Sequence, residues 1–410
     1  MEENIMKKTL TLLLTAVMLA CAVFGTYGCT GTDAPTSTTQ ATAAPTEAPT
    51  ENPDDIKEQN ISYAKYTQYK LETDVPVKNI IIMVGDGMGL NHVKAAEIQK
   101  GDKLAMACMP YTAQVTTDSL TGTTDSAAAA TALACGVKTY NKYIGMDKDD
   151  NPVENIMEVA EGFGMKRGIA VTQHVAHATP AGFTAHVSNR DAYMKILSEQ
   201  LKAEIDVMLG GGQQFYKKGV KNLLAEHDYQ YVDSASKLDT LTPDKKALGL
   251  FRYENILAGY KPALADMADT AIRLLENDNG FVLLVEGSDI DTRSHKSDME
   301  AMLREMIIFD NAVDTVLRYA SENPGTLVIV TADHETGGLT IPDGATAEDL
   351  TSELFTSDGE HTGENVGVWA AGAQADTLFE NGGVIDNTDI GKMMKRVLTE
   401  AHEDAADQAA

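Results

Sequence analysis

Short, uninterrupted apolar runs, each followed by an amphipathic stretch, constrain this chain more than any other feature of its sequence. Residues 79–84, Asn-Ile-Ile-Ile-Met-Val, hold no polar side chain after the first, so a strand there has both faces buried. Runs at 168–172, 206–209, 281–285 and 326–331 read the same way. Between the last two, Met299, Met302, Leu303, Met306, Val313, Val316 and Leu317 recur at helical spacing, one apolar stripe for packing a helix on a sheet. Doubly buried strands alternating with helices specify an α/β fold: a mainly parallel central sheet with helices on both faces. Ligands of such sheets gather at the carboxyl ends of the strands.

Residues able to do chemistry stand at those ends. Asp86 follows the first run within Gly85-Asp86-Gly87-Met88-Gly89, where glycines allow a tight turn and close approach of backbone to ligand. Glu286 follows 281–285, and Asp333-His334 follow 326–331. One Asp-Gly is ordinary turn chemistry, but carboxylates at three strand ends argue for one shared site. Asp291 and His295 are four apart, so on a helical turn they face one way and grip a single cation. His334, and His361 beside Thr362-Gly363, supply further imidazoles. Imidazole with carboxylate suits zinc, whereas an all-oxygen set such as Asp86, Glu286 and a hydroxyl suits magnesium. His92, His227 and His402 read as ordinary core or surface residues, and His174 and His186 as structural.

Thr123-Thr124-Asp125-Ser126 precedes an alanine-rich run and places a hydroxyl at the predicted start of a helix. The unpaired amides and positive dipole end of such a helix attract an anion such as phosphate. Ser126 is therefore a candidate nucleophile, the alternative being a helix cap.

The first residues stand apart. Lys7 and Lys8 precede an apolar run at 10–24, short for a membrane span and laid out as a secretory signal. Residues 1–28 read as a signal peptide, 29–60 as a Thr/Ala/Pro-rich tether that cannot bury a core, and 61–410 as the catalytic domain. The arrangement resembles a bacterial lipoprotein anchored to the membrane through Cys29, with lipidation at Cys21 and plain secretion as alternatives. Cys108 and Cys135 either pair or remain thiols. The balance of 33 basic and 61 acidic residues, 33 − 61 = −28, argues against a broad basic face for nucleic acid.

Taken in order, Val84-Gly85-Asp86-Gly87-Met88-Gly89, Thr124-Asp125-Ser126-Ala127, Ala178-Thr179-Pro180-Ala181 with Ala185-His186, Leu209-Gly210-Gly211-Gly212, Glu286-Gly287 with Ile290-Asp291, Thr331-Ala332-Asp333-His334 and His361-Thr362-Gly363 resemble the alkaline phosphatase family. The resemblance runs from about Asn79 to Leu398. It implies hydrolysis of phosphate monoesters through a phosphoserine at Ser126, two Zn2+ and one Mg2+, and a homodimer among the assemblies. Asp291, His295 and His361 are implied to hold one zinc; Asp86, Asp333 and His334, with the oxygen of Ser126, the other; and Asp86, Thr179 and Glu286 the magnesium. Arg190 matches the family's phosphate-binding arginine, and Asp125 is left as a positioning residue toward it. His177 stands where some bacterial members carry aspartate, and Thr292 where members commonly carry lysine or histidine. Both bear on the third ion, which an imidazole shifts toward zinc; His177 is either a ligand or an orienting group. Diesterase relatives tend to use threonine, and sulfatases need a Cys/Ser-x-Pro-x-Arg context that Ser126 lacks. A binding protein with structural metal leaves Ser126 and Arg190 without a task.

Overall fold

All five apolar runs form strands in the computed structural model, which describes residues 61–409 apart from 66, 214–223, 225, 253 and 380–382. The signal peptide at 1–28 and the tether at 29–60, with Cys21 and Cys29, lie outside the described residues. In chain order the strands are β1 (Asn79–Gly85), β2 (Tyr111–Thr116), β3 (Lys166–His174), β4 (Val207–Gly211), β5 (Gln230–Val232), β6 (Ala247–Leu250), β7 (Phe281–Gly287), β8 (Thr326–Thr331), β9 (Glu335–Thr336), β10 (His361–Thr362), β11 (Val366–Gly372) and β12 (Val384–Asp386). Ten of them make one sheet in the order β12-β2-β11-β8-β1-β7-β3-β4-β6-β5, and β9 pairs with β10 in a separate ribbon. β1, β7 and β8 are buried along their whole length, as strands between two helix layers must be. Both neighbours of β1 run parallel to it. Within the sheet, β11 runs antiparallel to β8 and to β2.

The helices are α1 (Leu90–Lys100), α2 (Ser126–Cys135), α3 (Ile156–Gly162), α4 (Ala178–Thr184), α5 (Tyr193–Lys202), α6 (Leu264–Leu275), α7 (Asp289–Ser294), α8 (Met299–Glu322) and α9 (Asn387–Ala409). The methionine stripe lies on α8 and is buried throughout, packed against α6 and α1. Asp298 starts that helix by accepting the Ala301 amide at 3.1 Å, as an N-cap carboxylate does.

Every residue of α2 is buried, and alanine suits the position twice: it favours helix and keeps neighbours close. A Cβ on Gly182 of α4 would stand 2.6 Å from Ala130 Cβ. Only small residues allow α2 and α4 this approach. The core extends from Val77 to Leu398. Cys108 donates to the Thr67 carbonyl and Cys135 to that of Val153, each as a thiol. No helix among the described residues is long and apolar enough to cross a membrane.

Candidate active site

Because β1 lies between β7 and β8, the residues ending those three strands emerge side by side. The Asp86 amide donates to Gly287 O at 3.2 Å, and the Gly87 amide to Asp333 Oδ1 at 3.0 Å. Gly87 has φ +72°, and a Cβ there would meet Asp291 Cα at 2.9 Å. Glycine is required both for the left-handed turn and for the space.

Asp125, not Ser126, caps α2: its Oδ1 accepts the Ala128 amide at 3.0 Å. Ser126 occupies the first helical position, 2% exposed, and its hydroxyl is released from capping. Ser126 Oγ stands 3.3 Å from His334 Nε2. Asp125 Oδ2 accepts Arg190 Nη1 at 3.1 Å, so the carboxylate beside the serine braces the guanidinium.

The predicted ligands form three clusters. Asp291, His295 and His361 converge, with His295 Nε2 3.2 Å and His361 Nε2 3.5 Å from Asp291 oxygens. His295 Nδ1 bonds to Gly359 O, and His361 Nδ1 to Thr124 O at 2.9 Å. Carbonyl partners of this kind orient imidazoles that ligate metal. Burial opposes a proton on His361, but bonding to Asp291 outweighs it and raises the imidazole to about 9.

In the second cluster His334 Nε2 lies 3.2 Å from Asp333 Oδ2 and 3.5 Å from Asp86 Oδ1, with Asp291 also within reach of Asp86 and His334. In the third, Asp86, His177 and Glu286 converge beside buried Thr179. Burial, reinforced by the carboxylates of Asp333, Asp291 and Glu286, holds Asp86 well above the ordinary carboxyl range. Burial and then Asp333 push Glu286 up to about 8. Burial and the charge of Arg190 hold His177 far down, a neutral imidazole.

Both Asp86 oxygens, both Glu286 oxygens, Asp333 Oδ2, Thr179 Oγ1 and His177 Nδ1 are buried with no hydrogen-bond partner. Buried polar atoms are ordinarily satisfied, and carboxylates gathered without counter-charge are costly. The donor set fits divalent cations: nitrogen and oxygen in the first two clusters, mainly oxygen in the third.

Thr336 joins this machinery without any signal in its own residue type. Its hydroxyl donates to Asp291 Oδ1 at 2.5 Å and so receives the His334 Nδ1 proton at 3.1 Å, turning His334 Nε2 toward Ser126. Its place two residues after His334, on the same side of an extended segment, is the trace it leaves in the sequence. His92, in contrast, is spent internally, on the Gly89 amide at 3.2 Å and Ser294 Oγ at 2.9 Å. His174 packs edge-on against Tyr193, His186 bonds Gly145 O and Glu158, and His402 stacks on Phe163.

Thr292 bonds Asp289, which also accepts Asn255 Nδ2 at 2.6 Å. Behind it Glu305 of α8 accepts the Ala258 amide at 3.0 Å and lies 3.9 Å from Arg293 Nε. Burial and then Asp289 push Glu305 up to about 8, against the pull of Arg293 and Arg304. A carboxyl raised by folding contributes stability that is complete below its unfolded value of about 4.3 and is lost as pH rises through the folded one. Glu305→Gln, neutral throughout, is expected to melt close to the wild type near about pH 5 and above it near about pH 9. Thermal melts across that range check this; a constant difference contradicts it.

Carboxylate and imidazole clusters of this make-up beside a helix-borne serine, at the carboxyl edge of a mainly parallel sheet, fall within one structural class, the alkaline-phosphatase-like α/β proteins. The structure matches alkaline phosphatase from the Antarctic bacterium TAB5 with a TM-score of 0.72 and 30% identity, over 79% of this chain and 99% of that one. A TAB5 variant with glutamate in place of a histidine, described with Mg bound in its M3 site, matches at 0.70 and 30% identity, over 80% and 99%. The family model described as Alkaline phosphatase matches residues 77–352, and the chain belongs to the alkaline phosphatase family. Alkaline phosphatase 4 of Bacillus subtilis (strain 168) is 37% identical over 297 residues, 66% of this chain and 64% of that protein. Alkaline phosphatase of Escherichia coli (strain K12) is 32% identical over 412 residues, 80% and 87% respectively. The match thus spans less than two thirds of the length of the Bacillus relative.

Proposed function

We propose that this protein hydrolyses phosphate monoesters to an alcohol and inorganic phosphate through a phosphoserine at Ser126, with divalent cations at the three clusters. The carrying observation is the Ser126 hydroxyl: buried, released from capping, and 3.3 Å from His334 Nε2. Asp291, His295 and His361 would hold one zinc ion, and Asp86, Asp333 and His334 the other. Asp86, Glu286, Thr179 and His177 would hold the third cation, where the His177 imidazole favours zinc over magnesium. The TAB5 variant that carries magnesium in its M3 site has a carboxylate in place of an imidazole, in keeping with that preference. Bound zinc supplies Lewis acidity that eases loss of a proton from the serine hydroxyl and from water.

Arg190, braced by Asp125, offers a planar fork to two phosphate oxygens, and the start of α2 adds amide donors and the positive dipole end. Thr336 occupies His334 Nδ1 and keeps Nε2 directed at the nucleophile. Ser126 gives up its hydroxyl proton to solvent and Oγ attacks phosphorus: the Oγ–P bond forms as the bond to the alcohol oxygen breaks, and the alcohol leaves with a proton taken back from solvent. Water then loses a proton and attacks phosphorus from the vacated side, the Oγ–P bond breaks, Ser126 Oγ takes up a proton, and inorganic phosphate is released. Two in-line displacements give net retention at phosphorus.

Parallel assays of a phosphate monoester, a phosphate diester and a sulfate ester test the reading. Turnover of the monoester well above the other two is expected; a preference for the diester or the sulfate ester overturns it.

A further inference from the structure

We propose that Asn141 is a positioning residue for Arg190, acting through Asp125; the inference rests on the phosphomonoesterase reading above. Asn141 lies in the loop after α2, and its carboxamide is used at both ends. Oδ1 accepts Ser119 Oγ at 2.6 Å and the Asp125 amide at 3.3 Å, while Nδ2 donates to Thr123 O at 3.0 Å. One side chain thus grips the backbone on both sides of Thr124, immediately before the nucleophile. Its own amide adds a bond to Thr121 Oγ1 at 3.0 Å.

The next residue closes the circuit. Lys142 N donates to Asp125 Oδ2 at 3.0 Å, and Lys142 O accepts the Arg190 amide at 3.0 Å. Asp125 Oδ2 therefore receives both a loop amide and the Arg190 guanidinium, while the same loop residue holds the Arg190 backbone. Lys142 adopts φ +74° to do this, a conformation in which L side chains are disfavoured and which surrounding bonds must hold. The Asn141 carboxamide supplies such bonds, and through them sets the direction in which Asp125 presents Arg190 to phosphate. Neither Asn141 nor Lys142 touches the reacting atoms, so their effect reaches phosphate through Asp125 and Arg190.

A double-mutant cycle tests this, with the inhibition constant for inorganic phosphate as readout and the melting temperature as control. Asn141→Ala is expected to weaken phosphate inhibition by about tenfold, as loss of an orienting partner commonly does. In an Arg190→Ala background the same change is expected to have little further effect, because neighbours acting through one group are not additive. Ser119→Ala, which removes one donor to Oδ1, is expected to produce a smaller loss in the same direction and serves if Asn141→Ala does not fold. Equal losses in both backgrounds, or unchanged phosphate inhibition in both loop variants, overturn the inference while leaving the reaction intact. A wild-type chain that neither hydrolyses a monoester nor binds phosphate overturns the reading of the reaction, and this inference with it.

Discussion

Ser126→Ala is expected to lose phosphate monoester turnover by about a thousandfold or more while the protein stays folded. The side chain is buried at the first position of α2, and the helix is capped by Asp125 rather than by Ser126. Removing Oγ therefore deletes no capping bond, and alanine favours helix, so stability should change by no more than about 1 kcal/mol. What disappears is the oxygen that faces His334 Nε2. Rapid quenching with a labelled monoester should trap phosphate covalently on the wild-type chain and none on the variant. Wild-type-like turnover by the variant would remove Ser126 from the reaction.

Stripping divalent cations with a chelator is expected to abolish turnover and to lower the melting temperature, with zinc restoring both. The physical ground is the set of buried oxygens on Asp86, Glu286 and Asp333 that find no hydrogen-bond partner. Without counter-charge, these carboxylates repel one another and oppose folding. A cation bound only by the folded state stabilises it by about 2.7 kcal/mol at a hundredfold excess over its dissociation constant. Metal content measured alongside should show zinc where Asp291, His295 and His361 converge and where His334 meets Asp86 and Asp333, with the third ion following the His177 imidazole. Full activity and an unchanged melt in metal-free protein would contradict the assignment of all three clusters.

The strands most legible in the sequence are those whose burial is complete. β1, β7 and β8 are apolar on both faces, so no neighbour had to be known to recognise them. β2 alternates partly buried and exposed residues before the fully buried Val115, and β11 interrupts its apolar residues with Gly367; both take their pairing from partners distant in the chain. Site residues divide along the same line. Asp86, Glu286 and Asp333 follow strands, and Asp291 and His295 share a helical turn, relations set within a few residues. Thr336 and Asn141 act through bonds to groups brought near by folding, and neither residue type announces the role. Residue type leaves Ser126 open between cap and nucleophile, whereas the folded chain gives the capping bond to Asp125.

By itself, the sequence determined the class of fold, the strand ends that carry carboxylates, and the ordered motifs of the alkaline phosphatase family, because each is written in local spacing or residue type. Only the tertiary structure decided that β1 lies between β7 and β8, that Asp125 caps α2 and braces Arg190, and that His177 joins Asp86 and Glu286. Strand order and side-chain convergence are set by the packing of segments far apart in the chain, and that packing exists only once the core has closed around them.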